Sequence, residues 1–129
     1  VLIATANAWG VSTDRVAGRT GIWLPDGSRK LAAIGVKASR WITLHGFAIN
    51  IDVDLSFFDL IVPCGIGDAG VVNLSELIDG SVPSLSKVAE QVSVDFCRVF
   101  EREASPPSEA LSILLRDVTH SPWTESEHN

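Results

Sequence analysis

The chain has 129 residues, of which 46% are hydrophobic and 20% charged, a composition typical of one folded domain with a single core. No apolar run approaches the roughly 18 residues that a transmembrane helix needs, and the first residues lack the basic stretch and apolar centre of a signal peptide. The sequence therefore indicates neither a membrane protein nor a secreted one.

The net charge of -6 is unevenly distributed along the chain. Residues 1–40 hold six Lys and Arg against two acids, giving +4, so residues 41–129 sum to -10. The acidic total disfavours nucleic acid as a partner, whereas the basic third predicts contact with an acidic macromolecule. A solvated surface of uneven charge is the alternative interpretation. The basic residues concerned are chiefly Arg15, Arg19, Arg29, Lys37 and Arg40.

Cysteine and histidine spacing argues against a disulfide framework and against a metal site. The two cysteines, Cys64 and Cys97, are too few for a disulfide scaffold and lie in no Cys-x-x-Cys pair, which favours a reducing compartment. His45, His120 and His128 are scattered and show no metal-ligand spacing. We therefore expect no bound metal.

The first third predicts a helix followed by a β-hairpin. Residues 1–9 are helical in pattern and Gly10 ends the helix. Because the chain begins inside this helix and contains no Met, we expect it to be part of a longer product. Residues 21–24 and 30–36 form the strands of the hairpin, joined by a turn at residues 25–27.

A third strand is predicted over residues 41–51, where apolar residues alternate around Gly46. Glycine inside a strand predicts a bulge or a close approach of another backbone or ligand. Asp54 then opens a short helical turn over residues 55–59.

The second helix shows the clearest periodicity in the chain. Its apolar residues recur at helical spacing and Ser84 is the expected N-cap, so the helix is predicted to bury one face in the core. The stripe comprises Leu85, Val88, Ala89, Val92, Phe96, Val99 and Phe100. Beyond it, residues 104–129 are rich in Ser, Pro, Glu and His and are predicted to form a flexible tail.

Cys64 is the candidate nucleophile because of the loop that holds it. The apolar residues 60–62 stop at Pro63-Cys64-Gly65, where a tight loop leaves the thiol open to a bulky electrophile. The following Gly65-Ile66-Gly67 offers backbone N–H groups to an oxyanion. Packing as a small hydrophobe is the alternative, and reactivity requires the thiolate.

Three further side chains have both a chemical and a structural interpretation. The Lys30 ammonium is the candidate that lowers the pKa of the thiol, although a solvated strand residue fits the pattern equally. His45 is either a general base or a hydrogen-bonded residue of a pocket wall. Cys97 adjoins the apolar stripe of its helix and is expected to pack.

Five segments, in their order and spacing, resemble the lipoyl(octanoyl) transferase family. They are residues 18–24 (GRTGIWL), 29–36 (RKLAAIGV), 45–50 (HGFAIN), 54–58 (DLSFF) and 62–66 (VPCGI). The resemblance is close over residues 1–80, and the helix at residues 84–103 resembles the family in kind. The family's upstream segments, rich in Gly-Gly and containing His-Gly-Pro-Gly-Gln, are absent from these residues.

The resemblance implies an α+β fold, namely the biotin/lipoate protein ligase-like fold, of which the chain would be the C-terminal half only. Residues 1–103 would belong to the catalytic domain and residues 104–129 to the tail. It implies that Cys64 forms the acyl thioester and that Lys30 activates it. The implied acyl-substrate contacts are Ala33, Ile34, Gly35, Gly46, Phe47 and Ala48.

The implied reaction moves an octanoyl or lipoyl group from acyl carrier protein to a lysine of a lipoyl domain. The acceptors would be 2-oxo acid dehydrogenase E2 or glycine-cleavage H protein, without metal or other cofactor because the thioester is already activated. The implied location is the bacterial cytoplasm, with mitochondrion or plastid as alternatives. Two other functions stay open: a non-catalytic fragment that binds an acyl chain or carrier protein, and an ATP-dependent lipoate or biotin protein ligase.

Overall fold

The computed structural model describes residues 1–60 and 70–106, with the backbone alone at His45, Asp59 and Leu60. An antiparallel sheet combined with two α-helices gives the α+β class expected from the sequence. Within these ranges no helix is long and apolar enough to cross a bilayer. The elements in chain order are α1 (Leu2–Ala8), β1 (Asp14–Val16), β2 (Arg19–Trp23), β3 (Arg29–Ser39), β4 (Ile42–Ile49), a 3₁₀ helix (Leu55–Leu60), β5 (Gly70–Val71), a second 3₁₀ helix (Leu74–Glu76) and α2 (Leu85–Phe100).

Strand β3 is the centre of the sheet and pairs along both of its edges. The antiparallel order is β1-β2-β3-β4, and β5 pairs in parallel with the beginning of β3, on the edge that β4 occupies further along. Backbone bonds continue this edge between the two strands, because Asn50 N–H donates to the Leu31 carbonyl and Val72 N–H to the Lys30 carbonyl. The start of β3 is therefore held on both sides.

The predicted first helix and first hairpin are confirmed. Helix α1 ends at Trp9, and Gly10 follows at a φ of +75°. The hairpin turn places Gly27 at +72°, and the backbone N–H and then the hydroxyl of Ser28 lower the pKa of the Asp26 carboxyl by hydrogen bonding. Strands β1 and β5, of three and two residues, were not predicted because such short pieces leave no readable alternation.

The β3–β4 hairpin departs from its prediction at Gly46. The register runs without interruption from Ala32↔Ile49 to Ser39↔Ile42, so the predicted bulge at Gly46 is wrong. Among the described residues, no close approach occurs there either, since a Cβ on Gly46 would meet nothing within 4 Å. The reason is that Gly46 faces Gly35 across the ladder, and two residues without side chains keep regular pairing while leaving open space.

The hairpin closes on two residues in the left-handed region, which shortens the predicted third strand at its start. Arg40 and Trp41 have φ of +50° and +65°, the pattern of a tight type I′ turn. The following helical turn is confirmed as the 3₁₀ helix from Leu55. The hydroxyl and the backbone N–H of Ser56 lower the pKa of the Asp54 carboxyl at its start.

Helix α2 is confirmed with its cap, but its apolar stripe is only partly buried. Lys87 N–H donates to the Ser84 hydroxyl at 3.4 Å, as an N-cap requires. Val88 is fully buried and Val92 packs against the core, whereas Leu85 is 75% and Phe100 54% exposed. Periodicity identifies which residues share a face of α2. The described part of the core, however, contacts only the middle of that face.

The core cluster lies between one face of the sheet and the two helices. It is built from apolar residues of α1, the loop after α1, β2, β3, the segment after β5, and α2. Its buried members are Leu2, Ala6, Val11, Ile22, Leu31, Ala32, Val72, Leu74 and Val88.

A buried carboxylate joins the two helices. Asp95 of α2 is 2% exposed and accepts a hydrogen bond of 3.0 Å from the Thr5 hydroxyl of α1. Gln91 and Arg98 donate to the same carboxylate at 3.1 and 2.7 Å. A buried carboxylate is tolerated when it is hydrogen-bonded, and of these three bonds the one from Thr5 links α1 to α2.

Thr5→Val tests this junction, because it keeps the volume of the side chain and removes the hydroxyl. We expect the free energy of unfolding to fall by about 1–3 kcal/mol, since a hydrogen bond to a buried charge is lost. Denaturant unfolding of the 129-residue chain measures it. The control is Ser93→Ala, which removes an exposed hydroxyl that donates to the Ala89 carbonyl and should change stability by less than about 0.5 kcal/mol. Equal effects of the two substitutions would contradict the junction.

Candidate active site

Lys30 lies near the start of β3, between two neighbouring strands. Its Cα pairs with Trp23 of β2 on one side and with Val71 of β5 on the other. The side chain is half-buried and its Nζ lies 4.6 Å from the centroid of the Trp23 ring. The guanidinium carbon of Arg19 lies 5.3 Å from the same ring. Both cations are within the range of a cation–π interaction.

A β-bulge determines the direction of Lys30. The register between β2 and β3 shifts by one residue, from Ile22↔Ala32 to Trp23↔Lys30, so Leu31 is the extra residue. Leu31 and Ala32 are consecutive, yet both are buried in the core cluster. Since neighbours in a regular strand point to opposite faces, the bulge lets both enter the core and leaves Lys30 on the face away from the helices.

Gly21 provides the room in which the Lys30 stem lies. It has a φ of +118°, and a Cβ added there would lie 2.4 Å from the Ala32 carbonyl oxygen and 3.4 Å from Cδ of Lys30. Any larger residue would therefore clash with the backbone of β3. Gly21 and Trp23 lie on one face of β2. Lys30 pairs with Trp23 and therefore lies on the same face of the sheet.

Beyond Lys30, four small residues form an open strip on the same face, which we call the shelf. Ala33 pairs with Ala48 and Gly35 with Gly46, and all four are exposed. Residues that pair across a ladder lie on the same face of the sheet. The face that carries the shelf is opposite to the face on which Ala32 enters the core. The shelf begins about 10 Å from Lys30 at the usual rise per strand residue.

Ile34 and Phe47 do not belong to the shelf, although the resemblance groups all six residues together. They pair with each other and alternate with the shelf residues, so their side chains lie on the helix-covered face. An apolar groove of about 440 Å³ opens on that face between β4 and α2, with no titratable side chain in its lining. It is lined by Phe47, Ile49, Ile51, Leu85, Val88, Ala89, Val92 and Ser93, and also by Ala48 of the shelf, the strand residue between Phe47 and Ile49.

Cys64 lies outside the described residues, as does the side chain of His45, whose backbone pairs with Val36. The chain on either side of Cys64 is anchored. The Asn73 side chain accepts from Val53 N–H at 3.1 Å and donates to the Val53 carbonyl at 2.8 Å. Val53 and Asn73, which precede and follow Cys64 in the chain, are therefore held next to each other. Cys97 is free and half-buried, in keeping with a packing role.

Trp23 and Gly21 are the functional candidates that residue patterns alone had not singled out. The alternation in β2 places them on one face, but only the bulge shows that this face carries Lys30. Strand β5 was missed as well, and it is the strand that joins the segment after Cys64 to Lys30.

Comparison with known proteins identifies the family. The family model for the lipoyl protein ligase A/B catalytic domain matches residues 1–97. The chain is 54% identical over 104 residues to an octanoyltransferase of Acidobacterium capsulatum, covering 77% of the chain and 42% of that protein. It is 42% identical over 115 residues to an octanoyltransferase of Myxococcus xanthus, covering 83% and 32%, and 45% identical over 113 residues to one of Chloroflexus aurantiacus, covering 87% and 49%.

In each of these three comparisons the chain spans less than half the length of the relative. The match to the family model nevertheless includes both α-helices almost entirely and all five described strands. Residues 1–97 therefore place this chain in the lipoyl protein ligase A/B catalytic domain family.

Proposed function

We propose that this chain supplies the nucleophile and its activating cation to an octanoyltransferase site. The octanoyl or lipoyl group would pass from acyl carrier protein to Cys64 and then to a lysine of a lipoyl domain. The observation that carries this proposal is the position of Lys30, which lies on the open sheet face, beside β5 and at the start of the shelf. The names of the relatives give the reaction class.

The reaction needs no activation beyond the thioester of the donor. The Cys64 thiolate attacks the acyl carbonyl carbon, a new thioester forms, and the carrier thiol leaves and takes up a proton. The acceptor amine then attacks this thioester, the amide forms, and Cys64 leaves as thiol. The Lys30 ammonium would favour the thiolate and lower the pKa of Cys64 below its ordinary value of about 8.5.

The chain connection supports closeness of Cys64 and Lys30. Gly70 pairs with Arg29 and follows Cys64 by six positions, so the thiol lies within about 20 Å of that pair at full extension. The anchor between Val53 and Asn73 closes the other end of the segment at the same edge of the sheet. We propose that the Cys64 thiol lies within reach of the Lys30 ammonium.

A transferase is favoured over an ATP-dependent ligase by the relatives. The family model covers both lipoyl protein ligases A and B, whereas the relatives compared above are named octanoyltransferases. Non-catalytic acyl binding is the other alternative, and the apolar groove beside α2 is the surface that would serve it. Acylation of Cys64 separates these three functions.

In the protein completed to the length of its relatives, octanoyl acyl carrier protein without acceptor should leave one octanoyl group on Cys64. Cys64→Ser should abolish transfer, because a hydroxyl has no accessible anion near neutral pH. Lys30→Ala should keep the nucleophile but slow acylation at pH 7 by about tenfold, and should shift its pH dependence upward as the thiol pKa returns toward 8.5. Intact mass and peptide mapping give the modified residue. The matched control is Lys87→Ala, on the exposed side of α2.

Three results would contradict the assignment. Transfer that persists in Cys64→Ser would exclude the covalent intermediate. Transfer that requires ATP would favour the ligase. Acyl binding without any modification of Cys64 would favour the non-catalytic function.

The shelf is proposed to receive the octanoyl chain. Gly46→Val should fold, because the space at its Cβ is open among the described residues, but the new side chain would occupy the shelf. We expect the rate with octanoyl carrier to fall by about tenfold or more, and the rate with an acetyl carrier to change much less. The control Ala38→Val adds similar bulk to the opposite face of the same hairpin. Equal loss with both donors would contradict acyl binding on the shelf.

The tip of the β3–β4 hairpin is the surface that we propose for acyl carrier protein. Residues 27–51 contain four Lys and Arg and no acid. Lys37 and Arg40 are exposed at the tip, and Trp41 between the strands is fully exposed. A rigid aromatic side chain flanked by cations suits an acidic protein partner. Arg29 contributes less to this surface, because it pairs with Glu76 at 3.0 Å.

Charge reversal at the tip tests the docking surface. Lys37→Glu with Arg40→Glu should raise the KM for octanoyl carrier several-fold and flatten the dependence of kcat/KM on salt, because rim charges act mainly on association. The turnover number should stay near that of the parent. Lys87→Glu is the control of equal charge change on α2. An unchanged salt dependence would leave the tip as ordinary solvated surface.

A further inference from the structure

We propose that Trp23 is a positioning residue that holds the Lys30 ammonium on the open face of the sheet. This inference rests on the proposed role of Lys30 and adds the group through which that side chain is placed. The Lys30 Nζ lies 4.6 Å from the centroid of the indole ring. A lysine has four rotatable carbon–carbon bonds, so a defined ammonium position needs a second contact beyond its backbone.

The Trp23 ring is held in place by its burial and by the strand pairing of its backbone. Trp23 is 1% exposed, although it lies outside the core cluster that contains its neighbour Ile22. Its backbone is held on both sides, by Asp14 of β1 and by Lys30 itself. The indole is thus a rigid apolar platform on the site face, and the negative face of an aromatic ring attracts a cation.

The Lys30 stem is guided to this ring by what lies beneath it. A Cβ on Gly21 would lie 3.4 Å from Cδ of Lys30, so the stem crosses the one position of β2 that has no side chain. Arg19 occupies the same ring at 5.3 Å and donates to the Gly27 carbonyl at 3.4 Å. The Trp23 ring therefore contacts two cations, Arg19 and Lys30.

Hydrogen bonding by the indole N–H does not explain why a tryptophan occupies position 23. Its buried Nε1 has no acceptor among the residues that the structure describes. Substitution by Phe therefore removes no hydrogen bond made within residues 1–60 and 70–106, while it keeps an aromatic face under the ammonium. Trp23→Phe and Trp23→Leu then differ chiefly in the π-system, which makes them a matched pair.

The contact is tested first in the 129-residue chain itself. Reductive methylation with ¹³C-formaldehyde labels its three lysines, Lys30, Lys37 and Lys87, and preserves their charge. We expect the Lys30 dimethyl resonance, assigned by Lys30→Arg, to lie upfield of the other two because of the indole ring current. It should remain displaced in Trp23→Phe and move to the position of Lys37 in Trp23→Leu. A Lys30 resonance that coincides with Lys37 in the parent chain would overturn the inference, and this outcome requires no Trp23 variant to fold.

The positioning role is tested by acylation of Cys64 in the completed protein at saturating carrier. Trp23→Leu should lower the acylation rate about three- to tenfold with an unchanged KM, and Trp23→Phe should restore most of it. In the Lys30→Ala background, Trp23→Leu should cause no further loss, because its effect acts through the ammonium. A merely structural role would add its loss in both backgrounds and would overturn the inference.

Failure of this inference is distinguishable from failure of the proposed function. If Lys30→Ala acylates at the parent rate, the role of Lys30 itself is refuted, while the methyl resonance still reports the contact with the ring. If Lys30→Ala is impaired and Trp23→Leu is not, the transferase proposal stands and the positioning role of Trp23 is refuted.

Discussion

The β-bulge opposite Trp23 is the constraint on which the candidate site depends. Because Leu31 is inserted between the paired positions of β2 and β3, two consecutive residues enter the core and Lys30 is left on the opposite face. Without this extra residue, strand alternation would place Lys30 on the same side as Ala32, against the helices. A charged ammonium would then be buried with the apolar core, which is unfavourable without a partner.

Because of the bulge, the core residues lie on one face of the sheet, and Lys30 and the shelf lie on the other. On one face, the core cluster joins the helices to the sheet, and the bond from Thr5 to Asp95 joins the two helices to each other. On the other face, no helix covers the shelf in the described part of the chain, and its four residues are exposed. A substitution on the shelf therefore removes no contact of the described core cluster.

The glycines of this site have two distinct purposes. Gly21 is required by close packing, since a side chain there would meet the Ala32 carbonyl and the Lys30 stem. Gly35 and Gly46 are opposite each other in a regular ladder and leave open space where side chains would stand. The first kind fixes the position of Lys30, and the second kind gives the proposed acyl chain room beside it.

The sequence by itself determined the α+β class, the family, the first hairpin, the capped second helix and the candidate residues, because periodicity, turn chemistry and short motifs are local properties. The sequence also determined that the segment of the β3–β4 hairpin is rich in Lys and Arg. It did not determine which face each residue takes, because a one-residue bulge reverses that assignment without changing the local pattern. The tertiary structure alone placed Lys30 over Trp23 and assigned Ile34 and Phe47 to the face opposite the shelf, since both results depend on the register between paired strands, which the local sequence pattern does not fix.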